Sequence, residues 1–183
     1  MTKCKIIAHA GKISGMSEIA LAKQQLREDI LLKRKEIANI FDVNFTENLL
    51  ALVAGLKPLR VAIYQSYKSE PNTELFINSC PIPVLVPISK PEGTLEWEEL
   101  ETGKLTEIHP GDLLVIPALA VDHEGNRLGR GKGYFDRTLD NLPDSVLVYA
   151  VVFAREFIPT VPTDVHDRQV NGVVTEAAIH KIK

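Results

Sequence analysis

Residues Val115 to Leu139 read VIPALAVDHEGNRLGRGKGYFDRTL, and this stretch decides the fold class. Val115 and Ile116 end an apolar run that Pro117 stops, so a strand leads in. Asp122 to Gly133 is polar and carries Gly125, Gly129, Gly131 and Gly133. Gly129, Gly131 and Gly133 alternate with other residues, so the backbone there can take left-handed conformations and approach a ligand with no Cβ in the way. Arg127, Arg130 and Lys132 set cations among them. Phe135, Leu139 and Leu142 then fall at i, i+4, i+7, a helical stripe over Tyr134 to Leu142 that Pro143 ends. A glycine-rich loop feeding a helix N-terminus favours anions, through its N–H groups and the helix dipole.

Neither common phosphate motif fits. A P-loop needs Gly, four residues, then Gly-Lys-Ser/Thr. Here five residues separate Gly125 from Gly131, and Lys132 is followed by Gly133 rather than a hydroxyl residue. The dinucleotide pattern needs a glycine where Tyr134 stands. Composition alone leaves two readings: a phosphate loop of another kind, or an elaborate turn.

The wording of the loop resembles the 5-formyltetrahydrofolate cyclo-ligase family, also called 5,10-methenyltetrahydrofolate synthetases. That family carries Arg-Leu-Gly-x-Gly-x-Gly-Tyr-Tyr-Asp after a strand ending in Pro-x-Leu-x-Phe-Asp. Arg127 to Asp136 matches it with one change, Phe135 for the second Tyr, and Val121 replaces the Phe before Asp122. Val121 is expected to trim the apolar wall near the loop, and Phe135 to remove a hydroxyl.

Length and composition agree with an enzyme of that kind. The 183 residues suit one domain, and 45% hydrophobic content can form its core. A net charge of −3 and 6% aromatic residues give no footprint for nucleic acid or a membrane surface. Cys4 and Cys80 lack a CxxC spacing, and His9, His109, His123, His166 and His180 are scattered, so neither a disulfide scaffold nor a zinc site is expected. No run approaches the roughly 18 apolar residues of a membrane span. A cytoplasmic monomer acting on small molecules is the expectation.

Along the chain, residues 1–15 read as an N-terminal extension and 16–183 as a single α/β domain. Ser17 is a candidate N-cap for a helix whose stripe, Ile19, Ala22, Leu26, Ile30 and Ile37, runs to about Ala38. Lys33, Arg34 and Lys35 read as its solvated face. Thr46 can cap a second helix, closed by Gly55. Leu59 to Tyr64 is a strand, Gln65 to Thr73 a polar loop at its C-terminal end, Thr73 the start of a short helix, and Val84 to Ile88 another strand. Pro91 to Gly111 reads as a hairpin or excursion with Trp97 as a packing residue. Asp112 to Ile116 is the strand feeding the central loop. Val146 to Phe153, apolar without alternation, is a strand buried on both faces, and a last short strand lies near Val173. The whole reads as a mainly parallel central sheet flanked by helices, with the glycine-rich loop between a strand and a helix.

The resemblance implies ATP-dependent closure of 5-formyltetrahydrofolate to 5,10-methenyltetrahydrofolate, with release of ADP and phosphate, using ATP and Mg²⁺. It implies ATP contacts at Lys23, Arg27, Arg127, Leu128, Gly129, Arg130, Gly131, Lys132, Gly133, Tyr134 and Phe135. Arg130 and Lys132 would be catalytic through charge neutralisation. Gln65, Glu70 and Tyr134 would contact the folate. Asp136 and Asp167, the latter after Val161-Pro162, would ligate Mg²⁺. A non-catalytic folate- or nucleotide-binding relative, or a sugar-phosphate or CoA-ester enzyme on a related loop, are the alternatives.

Overall fold

The computed structural model describes residues 17–36, 42–164 and 167–183; the expected N-terminal extension, the end of the first stripe at Ile37 and Ala38, and His166 lie outside them. In chain order the elements begin with helices α1 (Glu18–Arg34) and α2 (Asp42–Leu56), strand β1 (Val61–Ile63), helix α3 (Glu74–Ser79) and strand β2 (Val84–Ser89). A hairpin β3 (Leu95–Glu99) and β4 (Lys104–Thr106) follows, then β5 (Leu113–Pro117), β6 (Ala120–Asp122), β7 (Arg127–Leu128), α4 (Tyr134–Asp140) and β8 (Leu147–Val151). A 3₁₀ turn over Ala154–Glu156, then β9 (Phe157–Ile158), β10 (Gly172–Val174) and β11 (Ile179–Lys181), complete the chain.

The main sheet has eight strands in the order β11-β10-β8-β5-β1-β2-β3-β4. Its centre, β10-β8-β5-β1-β2, is parallel, and the antiparallel strands lie at the two edges. Alternate residues of the same strands feed two different cores. Val61, Ile63, Val115 and Val151 pack with Phe45, Leu49 and Leu52 of α2 and Phe76 of α3. Ala62, Leu114, Ile116 and Ala150 pack on the other face with Leu139 of α4 and Trp97. Both faces are covered, which is why these strands are apolar throughout.

Strands β1 and β5 are neighbours, but their connections diverge. From β1 the chain goes through α3 to β2; from β5 it goes through α4 to β8, on the opposite face. Such a switch point opens a crevice beyond the carboxyl ends of the strands.

Several local expectations change. The stretch from Asp122 to Gly133 is not one loop: β6 and β7 pair antiparallel within it, and β6 pairs parallel with β9 in a second, three-stranded sheet. Asp122 organises the turn, its carboxylate accepting from the N–H groups of Glu124, Asn126 and Val161 at 3.0, 2.9 and 3.0 Å. Thr46 lies inside α2, donating its hydroxyl to the Asp42 carbonyl at 2.8 Å, rather than capping it. Gly55 is helical, and the left-handed residue that ends α2 is Lys57, at φ 52°. Helix α4 stops at Asp140, two residues short of Leu142, through 3₁₀-type bonds from Asn141 to Thr138 and from Leu142 to Leu139. Ser17 does cap α1, accepting from the Ala20 N–H at 3.2 Å.

The largest departure is Arg34. Lys33 and Lys35 are exposed, but Arg34 is 1% exposed and forms a two-pronged ion pair with Glu156, at 2.7 and 2.6 Å. It also donates to the Ala118 carbonyl at 2.7 Å and lies over the Phe153 ring. Glu156 in turn accepts from the Phe153 N–H at 3.0 Å. The pair ties α1 to the ends of β5 and β8, and each charge compensates the other's desolvation. Arg34→Met strands Glu156 without its partner and is expected to cost about 3–5 kcal/mol in urea unfolding. The double replacement Arg34→Met/Glu156→Leu should recover much of that; a single variant as stable as the parent would contradict the pairing.

Candidate active site

Beyond the carboxyl ends of β1 and β5 lies a cavity of about 350 Å³. Its floor includes Pro117 and Ala118 at the end of β5, and its walls come from three further segments. The loop after β1 contributes Tyr64, Gln65, Tyr67 and Glu70; β2 and the start of β3 contribute Pro87, Ser89 and Leu95; and the glycine loop contributes Gly129 to Asp136 with Arg127 behind it. Gly131 and Gly133 have φ of 89° and 72° and use the left-handed freedom expected of them, whereas Gly129 does not take a positive φ.

Tyr64 and Thr73 hold the β1 loop in shape. The Tyr64 hydroxyl donates to the Pro71 carbonyl and the Thr73 hydroxyl to the Tyr64 carbonyl, both at 2.8 Å. Burial pushes the Tyr64 phenol well above its ordinary value, so it stays a neutral donor. Glu70 is folded inward, 8% exposed at its side chain. One carboxylate oxygen accepts from the Tyr67 N–H at 2.9 Å, and the other accepts from Arg130 Nε at 2.7 Å. Arg130 therefore joins the glycine loop to the β1 loop across the cavity. Lys132 is exposed at the rim.

Helix α1 approaches the loop from outside. Its i, i+4 cations separate in role: Arg27 Nε donates to the Gly129 carbonyl at 2.9 Å, while Lys23 pairs with Asp167 at 2.5 Å. The Arg27 guanidinium also lies against Gly131, 3.6 Å from where a Cβ would stand. Arg127, 4% exposed at its side chain, pairs with Asp136 and donates to the Arg168 carbonyl. Burial pulls its guanidinium below the ordinary arginine value, against the charges of Asp136, Asp167 and Asp140. Burial pushes the Asp167 carboxyl up, but Lys23, the Asp164 N–H and Arg127 outweigh it and hold the group below its ordinary value.

The sequence-derived candidates thus fall into one region with three grades of access. Gln65, Glu70, Gly129, Arg130, Gly131, Lys132, Gly133, Tyr134, Phe135, Arg127 and Asp136 line the cavity. Arg27 contacts the glycine loop and Lys23 pairs with Asp167, but none of the three lines the cavity. Leu128 is 1% exposed and packs in a third core with Ile30, Leu119 and Val161, so it offers the site backbone rather than side chain. Val121 likewise belongs to the interior, paired in β6 with Arg127 and Phe157, and does not trim the cavity wall as expected. Phe135 does line the cavity, while packing against both main cores. Sequence reading missed Tyr64, Tyr67 and Leu95 as lining residues; only the folding of the β1 loop and the β2–β3 hairpin over the crevice brings them there.

Among the described residues no group of three or more His, Cys, Asp or Glu gathers around a common point. Asp136, half exposed with one oxygen on Arg127, and Asp167, paired with Lys23, are two carboxylates acting on the same Arg127 guanidinium. That donor set suits Mg²⁺ held largely by phosphate oxygens and water, and does not suit an all-protein metal cage.

Comparison with known proteins agrees with this layout. Residues 19–176 match the 5-formyltetrahydrofolate cyclo-ligase family. A 5-formyltetrahydrofolate cyclo-ligase of Mycolicibacterium smegmatis is 29% identical over 84% of this chain and 93% of its own length. One from Mus musculus is 30% identical over 85% of each chain. A 5,10-methenyltetrahydrofolate synthetase from Mycoplasma pneumoniae has the same fold, with a TM-score of 0.73 at 23% identity over 84% of this chain and 98% of the other. The Aquifex aeolicus synthetase superposes with a TM-score of 0.71 at 22% identity, covering 88% and 93%.

The depressed Asp167 carboxyl carries a sign that can be checked. Its contribution to stability is present above the ordinary value of 3.8 and is lost as pH falls through the lower folded value. The stability gap between the parent and Asp167→Asn, followed by urea unfolding, should therefore be constant near neutrality and close only in acid. A gap that widens toward acid pH would contradict the Lys23–Asp167 pairing.

Proposed function

The chain belongs to the 5-formyltetrahydrofolate cyclo-ligase family, and on that premise we propose that it closes 5-formyltetrahydrofolate to 5,10-methenyltetrahydrofolate in its switch-point cavity, with ATP converted to ADP and phosphate. The observation that carries this reading is the Arg130–Glu70 pair across the cavity, with Lys132 at its rim, on a loop in which Gly131 and Gly133 are left-handed.

The chemistry asks for positioning more than for a protein nucleophile. The formyl oxygen attacks the γ-phosphorus and the bond to the ADP oxygen breaks. N10 of the folate then adds to the activated carbon, loses its proton, and phosphate leaves carrying the former formyl oxygen. Arg130 and Lys132 neutralise charge on the transferring group, and the N–H groups of Gly129, Gly131 and Gly133 are donors for phosphate oxygens. Arg27 braces that loop from α1, Lys23 holds Asp167, and Arg127 with Leu128 forms the strand the loop springs from. Tyr134 and Phe135 supply flat faces for a ring. Glu70 and Gln65 hold the folate, with Arg130 exchanging Glu70 for phosphate as ligands enter. Asp136 and Asp167 would hold Mg²⁺, which neutralises phosphate charge when bound. Small molecules are the partners in this reading, which includes a cytoplasmic, monomeric protein with no nucleic-acid or membrane ligand; among the described residues no helix is long and apolar enough to cross a membrane.

The test is methenyl absorbance with 5-formyltetrahydrofolate labelled with ¹⁸O in the formyl group. Product should form only with ATP and Mg²⁺, and the label should appear in inorganic phosphate; label retained in water or absence of product would overturn the reading. Lys132→Ala should lower kcat/KM by roughly 10²-fold or more, the usual scale for one electrostatic donor, with unchanged unfolding. Asp136→Asn should shift the Mg²⁺ titration of turnover to higher concentration; an unmoved titration removes Asp136 from the metal site.

A further inference from the structure

Arg137 has no place in the proposed chemistry, and as an exposed arginine in the last turn of α4 it would ordinarily be a solvated side chain. Its surroundings are unusual. Nε donates to the Gly93 carbonyl at 2.8 Å, in the turn between β2 and β3, and Nη2 donates to the Lys132 carbonyl at 3.1 Å, in the glycine loop. The guanidinium carbon lies 5.7 Å from the centre of the Tyr134 ring.

Two glycines form the slot. Gly93 has φ 84° and Gly133 has φ 72°. A Cβ on Gly93 would stand 2.5 Å from Nη2, and one on Gly133 would stand 2.9 Å from Nη1. Residues far apart in sequence thus leave space for one planar cation, and both of its main acceptors are backbone carbonyls. Each side of the clamp is a wall of the cavity: Ser89 and Leu95 flank the Gly93 turn, and Lys132 with Gly133 is the loop itself. A planar trans peptide directs its C=O and N–H oppositely. Anchoring the Lys132 carbonyl on Arg137 therefore turns the Gly133 N–H away from Arg137, and fixes the backbone that carries the Lys132 side chain.

We propose that Arg137 is a positioning residue for the nucleotide: it fastens the glycine loop to the β2–β3 turn and so holds the loop's donors in their binding arrangement. The clamp rests on the reading of this cavity as an ATP site. It is tested with Arg137→Ala and Arg137→Gln, measuring KM for ATP and kcat, the binding of ATP alone by calorimetry, and thermal unfolding. Arg137→Ala should weaken ATP by about tenfold, the scale of a charge-assisted hydrogen bond, with kcat and melting temperature much less affected. Arg137→Gln, keeping one planar donor, should fall between, and millimolar guanidinium should restore part of the loss in the alanine variant by entering the emptied slot. Unchanged ATP affinity in both variants, or a loss that merely tracks melting temperature and ignores guanidinium, would overturn the clamp. A parent protein that binds ATP but forms no methenyl product would defeat the cyclo-ligase reading and leave the clamp standing.

Discussion

Strands β1 and β5 are hydrogen-bonded side by side, with Val61, Ala62 and Ile63 opposite Leu113, Leu114 and Val115, yet the chain leaves them toward opposite faces of the sheet. No connection can cover the gap between two loops that diverge, so the carboxyl ends of these strands border an open crevice. Everything in the candidate site depends on that divergence. The β1 loop brings Glu70 to one side, and the continuation of β5 brings the glycine loop to the other. The buried faces of β1 and β5 are apolar, so these strands are fixed by packing on both faces while the loops at their ends are free to carry polar chemistry.

Charge is then sorted by burial. Arg34 and Arg127 are both interior and both paired, one with Glu156 and the other with Asp136. An unpaired guanidinium at such depth would be costly, and their carboxylates answer that cost locally. Arg130 and Lys132 are nearer the surface, where a cation can change partners as an anion arrives. A chain with a net charge of −3 can present a phosphate site this way, because the positive charge is concentrated within one loop and its immediate neighbours. The Glu70–Arg130 pair keeps that charge compensated across the cavity.

The features that were legible in the sequence are those whose cause is local or periodic. The apolar runs at β1, β5 and β8, the Ser17 cap, the hairpin around Trp97 and the alternating glycines before Tyr134 are all visible because each is written within a few neighbouring residues. Arg34 was not legible: beside Lys33 and Lys35 it looks like part of a basic face, and its partner is 122 residues away. The β6–β7 hairpin was hidden for a related reason. Its strands are two and three residues long, and Asp122, which reads as a loop polar residue, is buried as the acceptor of several backbone N–H groups. At the site, the glycine loop and its cations could be read directly, whereas Tyr64, Tyr67, Leu95 and Arg137 acquire their places only through tertiary approach.

In the proposed reaction the loop from Gly129 to Gly133, with Arg130 and Lys132, receives the triphosphate. The most direct measurement is a crystal structure with a non-hydrolysable ATP analogue, Mg²⁺ and 5-formyltetrahydrofolate. The γ-phosphate should lie within hydrogen-bonding reach of the loop N–H groups and of Lys132, with the formyl oxygen opposite the leaving ADP oxygen. Phosphates bound away from that loop, with Arg130 still on Glu70, would contradict it.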